Sequence, residues 1–403
     1  MVVLHHGAIS HDYALYSGLP ADSRFDGDLA LSGMPFLLVA AGDFAVSLFL
    51  VLSGFVLAHS YLHSTLGTVG AVVKRYARLT IPIAATSLVS LATAVATPGF
   101  ALPGAVGAGR SAADLVAALR TCLMEAFYGS TIGGIHEPSY NGVLWTIPIE
   151  FQGSLLLVAL FAVARFVAKA TAKPERVVDF AGAGALLLLL ATWHSRLGLF
   201  GAGATLYWLF GPHRPQRRDL ATWAGRVIVV LALFLGTMPD SPQRIEIYDA
   251  LIRLIGFSPE TATTQTLVHP LAASFGWKDP LFYRVTPIGL WHSIGAVLLL
   301  FGALRDVAWR RLLERPLCLW LGEVSFPLYL IHSTVYRVVG LPLHGVFVGA
   351  GFGYGTSSLF AIAAYVAASL VAAHLLARTV EEAAVRWADR LGRTVDASVR
   401  RAG

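Results

Sequence analysis

Residues 44–62 read FAVSLFLVLSGFVLAHSYL, a run without a charged side chain, and residues 74–82 read KRYARLTIP, where three cations fall close together. A membrane-spanning helix needs about 20 mostly apolar residues, and lysine or arginine beside such a run marks its cytoplasmic end. The two stretches together predict a transmembrane helix that ends inside, and the rest of the chain repeats the pattern. Of 403 residues, 56% are hydrophobic and 13% charged, with a mean hydropathy of +0.66. A soluble domain carries about a quarter of its residues charged, so lipid is the solvent this composition suits.

Apolar windows recur at 1–10, 44–62, 79–97, 144–167, 179–195, 197–211, 222–238, 286–304, 317–340 and 357–377. They predict an all-α, polytopic transmembrane bundle of about ten helices, with the first truncated to half a span. No repeat or linker interrupts them, so 1–403 is expected to form a single membrane domain with a cytoplasmic tail over 378–403. Segment 113–128, ADLVAALRTCLMEAFY, carries Asp114, Arg120 and Glu125 and reads as an amphipathic surface helix.

The net charge is +6 and the pI about 9.4. The basic residues sit in short clusters between apolar runs, which argues for membrane topology and against nucleic acid as a partner. One side collects Lys74, Arg75, Arg78, Arg165, Lys169, Lys173, Arg176, Arg214, Arg217, Arg218, Arg305, Arg310, Arg311, Arg315 and the arginines from 378 onward. That alternation predicts a multi-pass membrane protein with both termini in the cytoplasm. The long loops near 11–43, 98–143 and 239–285 then fall outside. Their PGFALPG, HEPSYNG and FGWKDPLFY stretches suit ordered caps over a site.

Polar residues inside spans are costly and therefore mark function. His5 and His6 interrupt VVLHHG, Glu150 lies in LWTIPIEF, His292 in IGLWHSIG and His332 in SFPLYLIHS. Helix direction puts all of them in the outer third of the membrane, where a carboxylate can orient an imidazole for general-base work. At the opposite face Arg75 and Arg78, three apart on one helix side, are suited to hold a phosphate group. The bilayer core between is about 30 Å thick, which fits a long donor with a phosphate head. Blander readings exist for each: positive-inside anchoring for the arginines, core packing for the histidines, an interfacial belt for Trp145 and Trp291. No CxxC pair occurs and no metal is expected.

SLFLVLSGFVLAHSY, then KRYARLTIP, NGVLWTIPIEF and LGEVSFPLYLIHSTV, in this order, resemble the membrane-bound acyltransferase 3 family over nearly the whole chain. The resemblance implies an O-acyltransferase that takes an acyl group, usually acetyl, from cytoplasmic acyl-CoA to a carbohydrate hydroxyl, such as a surface polysaccharide or lipid-linked sugar. Residue by residue it implies His6 as the catalytic base or acyl carrier, with His5 as the fallback. It implies Arg75 and Arg78 as ligands of the coenzyme A phosphates, Trp145 at the substrate, and Glu150 and His332 as further catalytic residues. The family's arginine eleven positions before the histidine has no counterpart, because Met1 stands five before His6; either the protein starts upstream of Met1, which the half-length first span favours, or it lacks part of the donor site. The family's Glu-x-Pro at the last helix is replaced by Glu381, Glu382 and Ala383. A transporter or flippase for a sugar-containing substrate, or an inactive family member, are the alternatives.

Overall fold

The computed structural model describes residues 1–97, 111–133, 139–213, 221–263, 267 and 284–402. PGFALPG, FGWKDPLFY, part of HEPSYNG and Arg214, Arg217 and Arg218 lie outside the described residues. Among those described there are helices and turns but no β-strand. Every apolar window holds a helix: Val2–His11, Gly42–His63, Thr68–Ala96, Ile147–Ala170, Val177–Thr192, Gly198–Phe210, Thr222–Gly236, Pro287–Arg305, Pro316–Val335 and Tyr354–Leu376. Among the described residues, five stretches are long and apolar enough to cross a bilayer, namely Gly42–His63, Thr68–Ala96, Gly142–Ala170, Pro287–Arg305 and Tyr354–Arg401. Gly198–Phe210 and Trp223–Gly236 are apolar but shorter. The larger span count read from the sequence thus includes helices below the length of a full crossing.

The Thr68–Ala96 helix begins well before its apolar window, because KRYAR is made of residues that continue a helix readily. Its 29 residues extend about 43 Å at a rise of 1.5 Å, more than the hydrocarbon core needs. The basic end is therefore long enough to project beyond the lipid. In the Ile147–Ala170 helix, Pro148 sits in the first turn, where its missing N–H costs no intrahelical bond.

Contacts divide the chain into two units, each assembled from separate stretches of sequence. The first comprises Met1–Ser64 and Gly153–Leu319, the second Thr65–Gln152 and Trp320–Gly403. In the first unit, helices approach through glycines: a side chain on Gly54 would strike the Phe200 backbone, and one on Gly203 the Val51 carbonyl. Small residues at such crossings let backbones pack by dispersion where lipid offers no hydrophobic drive. A second cluster in this unit joins Met238, Tyr248, Ile252, Ala262 and Ile288, with Trp291 packed against it.

In the second unit the presumed tail is a helix, Glu382–Ala402, lying along the basic end of Thr68–Ala96. Its Ala384, Ala388, Gly392 and Asp396, four apart, form a buried stripe. Asp396 accepts from the Gly67 N–H at 2.9 Å, and Asp389 pairs with Lys74 at 2.6 Å. Leu91 and Ala94, toward the far end of Thr68–Ala96, pack with Ala118, Cys122 and Tyr140. The amphipathic segment forms the Ala112–Met124 helix, started by a reciprocal Ser111–Asp114 cap and exposing Leu115, Val116, Leu119 and Met124.

Candidate functional site

The second unit docks three of the sequence motifs on one another. Asn141, fully buried, donates from Nδ2 to the Leu330 carbonyl at 2.7 Å, and its Oδ1 accepts from the Ser333 hydroxyl at 2.7 Å. Tyr329 meets the Thr146 hydroxyl at 2.6 Å and donates to the Val143 carbonyl. NGVLWTIPIEF is thereby stapled to SFPLYLIHS by side chains that a polar group in an apolar interior needs as partners. His332, at 0% exposure, donates from Nδ1 to the Tyr329 carbonyl at 2.8 Å. That bond puts the proton of the neutral ring on Nδ1 and the basic lone pair on Nε2. A π-helical turn, Tyr336–Gly340, follows directly, and such turns often occur at functional sites. Trp145 is half-buried in the turn Gly142–Thr146 that leads into this region.

KRYAR joins the same assembly through Arg75, whose Nη2 pairs with Glu150 Oε1. The side chains are 12% and 4% exposed. The sequence reading put Arg75 at the cytoplasmic face and Glu150 in the outer third, at opposite ends of the bilayer. Their direct contact corrects this: the two groups share one depth. Position along an apolar window does not report depth to this precision: the contact requires the two helix backbones to approach within the reach of the two side chains. Arg78, one turn on, is exposed.

The histidine pair belongs to the first unit. His5 is 9% exposed, and its Nδ1 lies 3.1 Å from the Val39 carbonyl. Its ring covers Gly42, where a Cβ would fall 2.6 Å from Nε2. The Tyr16 ring stands edge-on at 5.8 Å and that of His6 at 5.5 Å. His6 itself is half-buried. His292, which no motif carries, is held on both sides: Nδ1 is 3.1 Å from Asp43 Oδ2 and Nε2 is 2.7 Å from the Met238 carbonyl. Asp43 Oδ1 pairs with Arg196.

Tyr16 and Asp240, outside the apolar helices, extend the cluster. The negative charge of Asp240, and then burial, push the Tyr16 phenol up; burial pushes the Asp240 carboxyl up against the opposing pull of His292. A narrow cleft lined by Tyr16, Ala40, Ala41, Thr237, Met238 and Asp240 lies beside them.

Asp43, Arg196, Asp240, Asn141 and Tyr329 were missed in the sequence. For Asp43 a signal existed, an acid just ahead of a long apolar run. The expectation of no metal overlooks one pair: His59 and His63 form an HxxxH, a spacing seen in metal sites, and their rings lie 4.5 Å apart. Yet His59 Nδ1 meets the Tyr207 hydroxyl, and no group of three metal-ligating side chains occurs among the described residues.

The family described as acyltransferase domain, Acyl_transf_3, matches residues 1–378. The chain is 26% identical over 284 residues to Acyltransferase R4 of a Phoma species, covering 64% of this chain and 53% of that protein. It is 27% identical over 297 residues to Acyltransferase clz18 of Cochliobolus lunatus, covering 66% and 54%. The chain thus spans about half the length of the curated relatives it matches. No solved structure matches. With a family match over nearly all its length, and three of the four motifs packed on one another in its second unit, the chain belongs to the acyltransferase 3 family.

Proposed function

We propose that the protein is an integral plasma-membrane O-acyltransferase that moves an acyl group, acetyl by preference, from cytoplasmic acyl-CoA to a hydroxyl of a carbohydrate, a surface polysaccharide or a lipid-linked sugar. The observation that carries this reading is the buried pairing of Arg75 with Glu150, two residues of separate motifs brought together in the interior. Ion pairs in such surroundings are expensive and are kept where they serve a function.

In this mechanism Arg78, exposed, meets the donor phosphates first. Arg75 shares its guanidinium between them and Glu150, a division that its five N–H donors permit. His6 takes the proton of the acceptor hydroxyl as that oxygen attacks the thioester carbonyl, and the coenzyme A thiolate leaves. A covalent variant passes the acyl group through His6 itself. Trp145 supplies an apolar surface for substrate. His332, with its lone pair on Nε2, is a second base of the same chemical type.

Membranes containing the protein, supplied with radiolabelled acetyl-CoA and carbohydrate acceptor, test the reading. Label in the carbohydrate is the expected result. Sugar moved across the membrane with no label transferred would overturn it.

A further inference from the structure

Between the seat of His5 and the buried His292 lies a set of charged groups to which no motif gives a role. Asp43 occupies the first turn of Gly42–His63, where the helix N-terminus favours a carboxylate. One of its oxygens takes Arg196 and the other His292. The second nitrogen of His292 faces the Met238 carbonyl, which can only accept. An arginine contact keeps the carboxylate ionised, so both partners of the imidazole are acceptors and the ring must donate from both nitrogens. His292 is then an imidazolium, and Asp43 is a carboxylate held between two cations. Asp240 lies within electrostatic reach of His292 and binds the Tyr16 hydroxyl.

The three contacts that fix His5 all lead back to this set. Its Nδ1 is held by Val39, its face lies on Gly42 next to Asp43, and its edge meets Tyr16, which Asp240 holds. The 39–43 backbone therefore acts as a shelf for His5, and Asp43 fastens that shelf to Arg196 and to the Pro287–Arg305 helix. We infer that Asp43 is a positioning residue for the histidine pair: it fixes the shelf under His5 and, through the 5.5 Å contact of the two rings, the orientation of His6. This rests on the proposed role of His6 in acyl transfer. A clamp that merely stabilised the bundle would leave the histidines as protected as before whenever the protein folds.

Histidine modification distinguishes the two. Diethyl pyrocarbonate labelling of the whole protein in membranes, mapped by mass spectrometry, reads each ring separately, alongside the transfer assay. In the unsubstituted protein His6 should label well ahead of His5. Asp43→Asn, nearly isosteric, should speed labelling of His5 about tenfold and lower kcat about 100-fold, with the KM for acyl-CoA held within about threefold. Gly42→Ala, which leaves every charge in place, should expose His5 in the same way. If His5 stays protected in folded Asp43→Asn, the inference is overturned, whatever the activity does and whatever Gly42→Ala shows. If His5 becomes reactive but even the unsubstituted protein transfers no acyl group, the shelf stands and the acyl-transfer reading falls. Should neither variant accumulate, His292→Gln decides by the same labelling, since it keeps the Asp43–Arg196 pair.

Discussion

Asp43 and Glu150 both lie in the first turn of a helix and both face an arginine, yet they are held differently. Asp43 divides its oxygens between Arg196 and His292 and keeps 24% of its side chain exposed. Glu150 takes Arg75 on Oε1 and is 4% exposed. A carboxylate with two cationic partners and some access to solvent can lose one of them and remain compensated. A carboxylate deep in an apolar interior depends far more on its arginine, because the desolvation cost of the charge stays when the partner goes.

The comparison is broken most readily by removing each arginine in turn. Arg75→Ala should cost about 3–5 kcal/mol, the expected penalty for breaking a buried ion pair from one side. Arg196→Ala should cost about 1–3 kcal/mol, because His292 still binds Asp43. Thermal unfolding in detergent compares them, and equal losses would show that the second partner of Asp43 contributes nothing.

A third carboxylate sharpens the contrast. Asp12 is 3% exposed, and burial, followed by its neighbour Asp28, pushes its carboxyl up to about 6. The folded state then holds that proton more tightly than the unfolded chain does. The resulting stability is complete below pH about 4 and is lost as the pH rises to about 6. Asp12→Asn should flatten this limb and add about 1–2 kcal/mol at pH 7, allowing for solvent screening. Unfolding followed across pH checks it; an unchanged slope would assign the limb to other groups. Asp28 behaves in the opposite sense. Burial alone would raise its carboxyl, but the N–H groups of Arg24, Phe25 and Leu29 and the Ser23 hydroxyl outweigh it and pull it down.

The smallest effect on folding belongs to Arg78. It is exposed, so Arg78→Ala should change stability by no more than about 0.5 kcal/mol. The same substitution should raise the KM for acyl-CoA about tenfold, the loss of one charged phosphate contact. Initial rates against donor concentration separate this from Arg75→Ala, which should lower stability as well.

The helices were legible because a bilayer imposes one requirement, about 20 apolar residues in a row, that any single sequence displays. The windows at 44–62 and 286–304 missed the helix bounds by no more than two residues. The helix at 68–96 was misjudged at its start, since hydropathy reads lipid contact and KRYAR is helical without being apolar. Depth was not legible at Arg75 and Glu150. Arg75 and Glu150 are 75 positions apart, and nothing in either motif reports that one side chain reaches the other. Asn141 and Tyr329 were passed over for a similar reason: each looks like an ordinary polar residue until its partner on another helix is known. His5 and His6 could be ranked only by resemblance. The fold distinguishes them physically, one buried against Val39 and Gly42, the other half-buried beside it.

The central claim, that His6 performs acyl transfer, is tested most directly by measuring transfer from radiolabelled acetyl-CoA to carbohydrate by His6→Ala and the unsubstituted protein, at matched expression in membranes. Loss of a general base predicts a fall of about 100- to 10,000-fold. Transfer within about twofold of the unsubstituted protein would contradict the account, since a base contributing so little is no base at all.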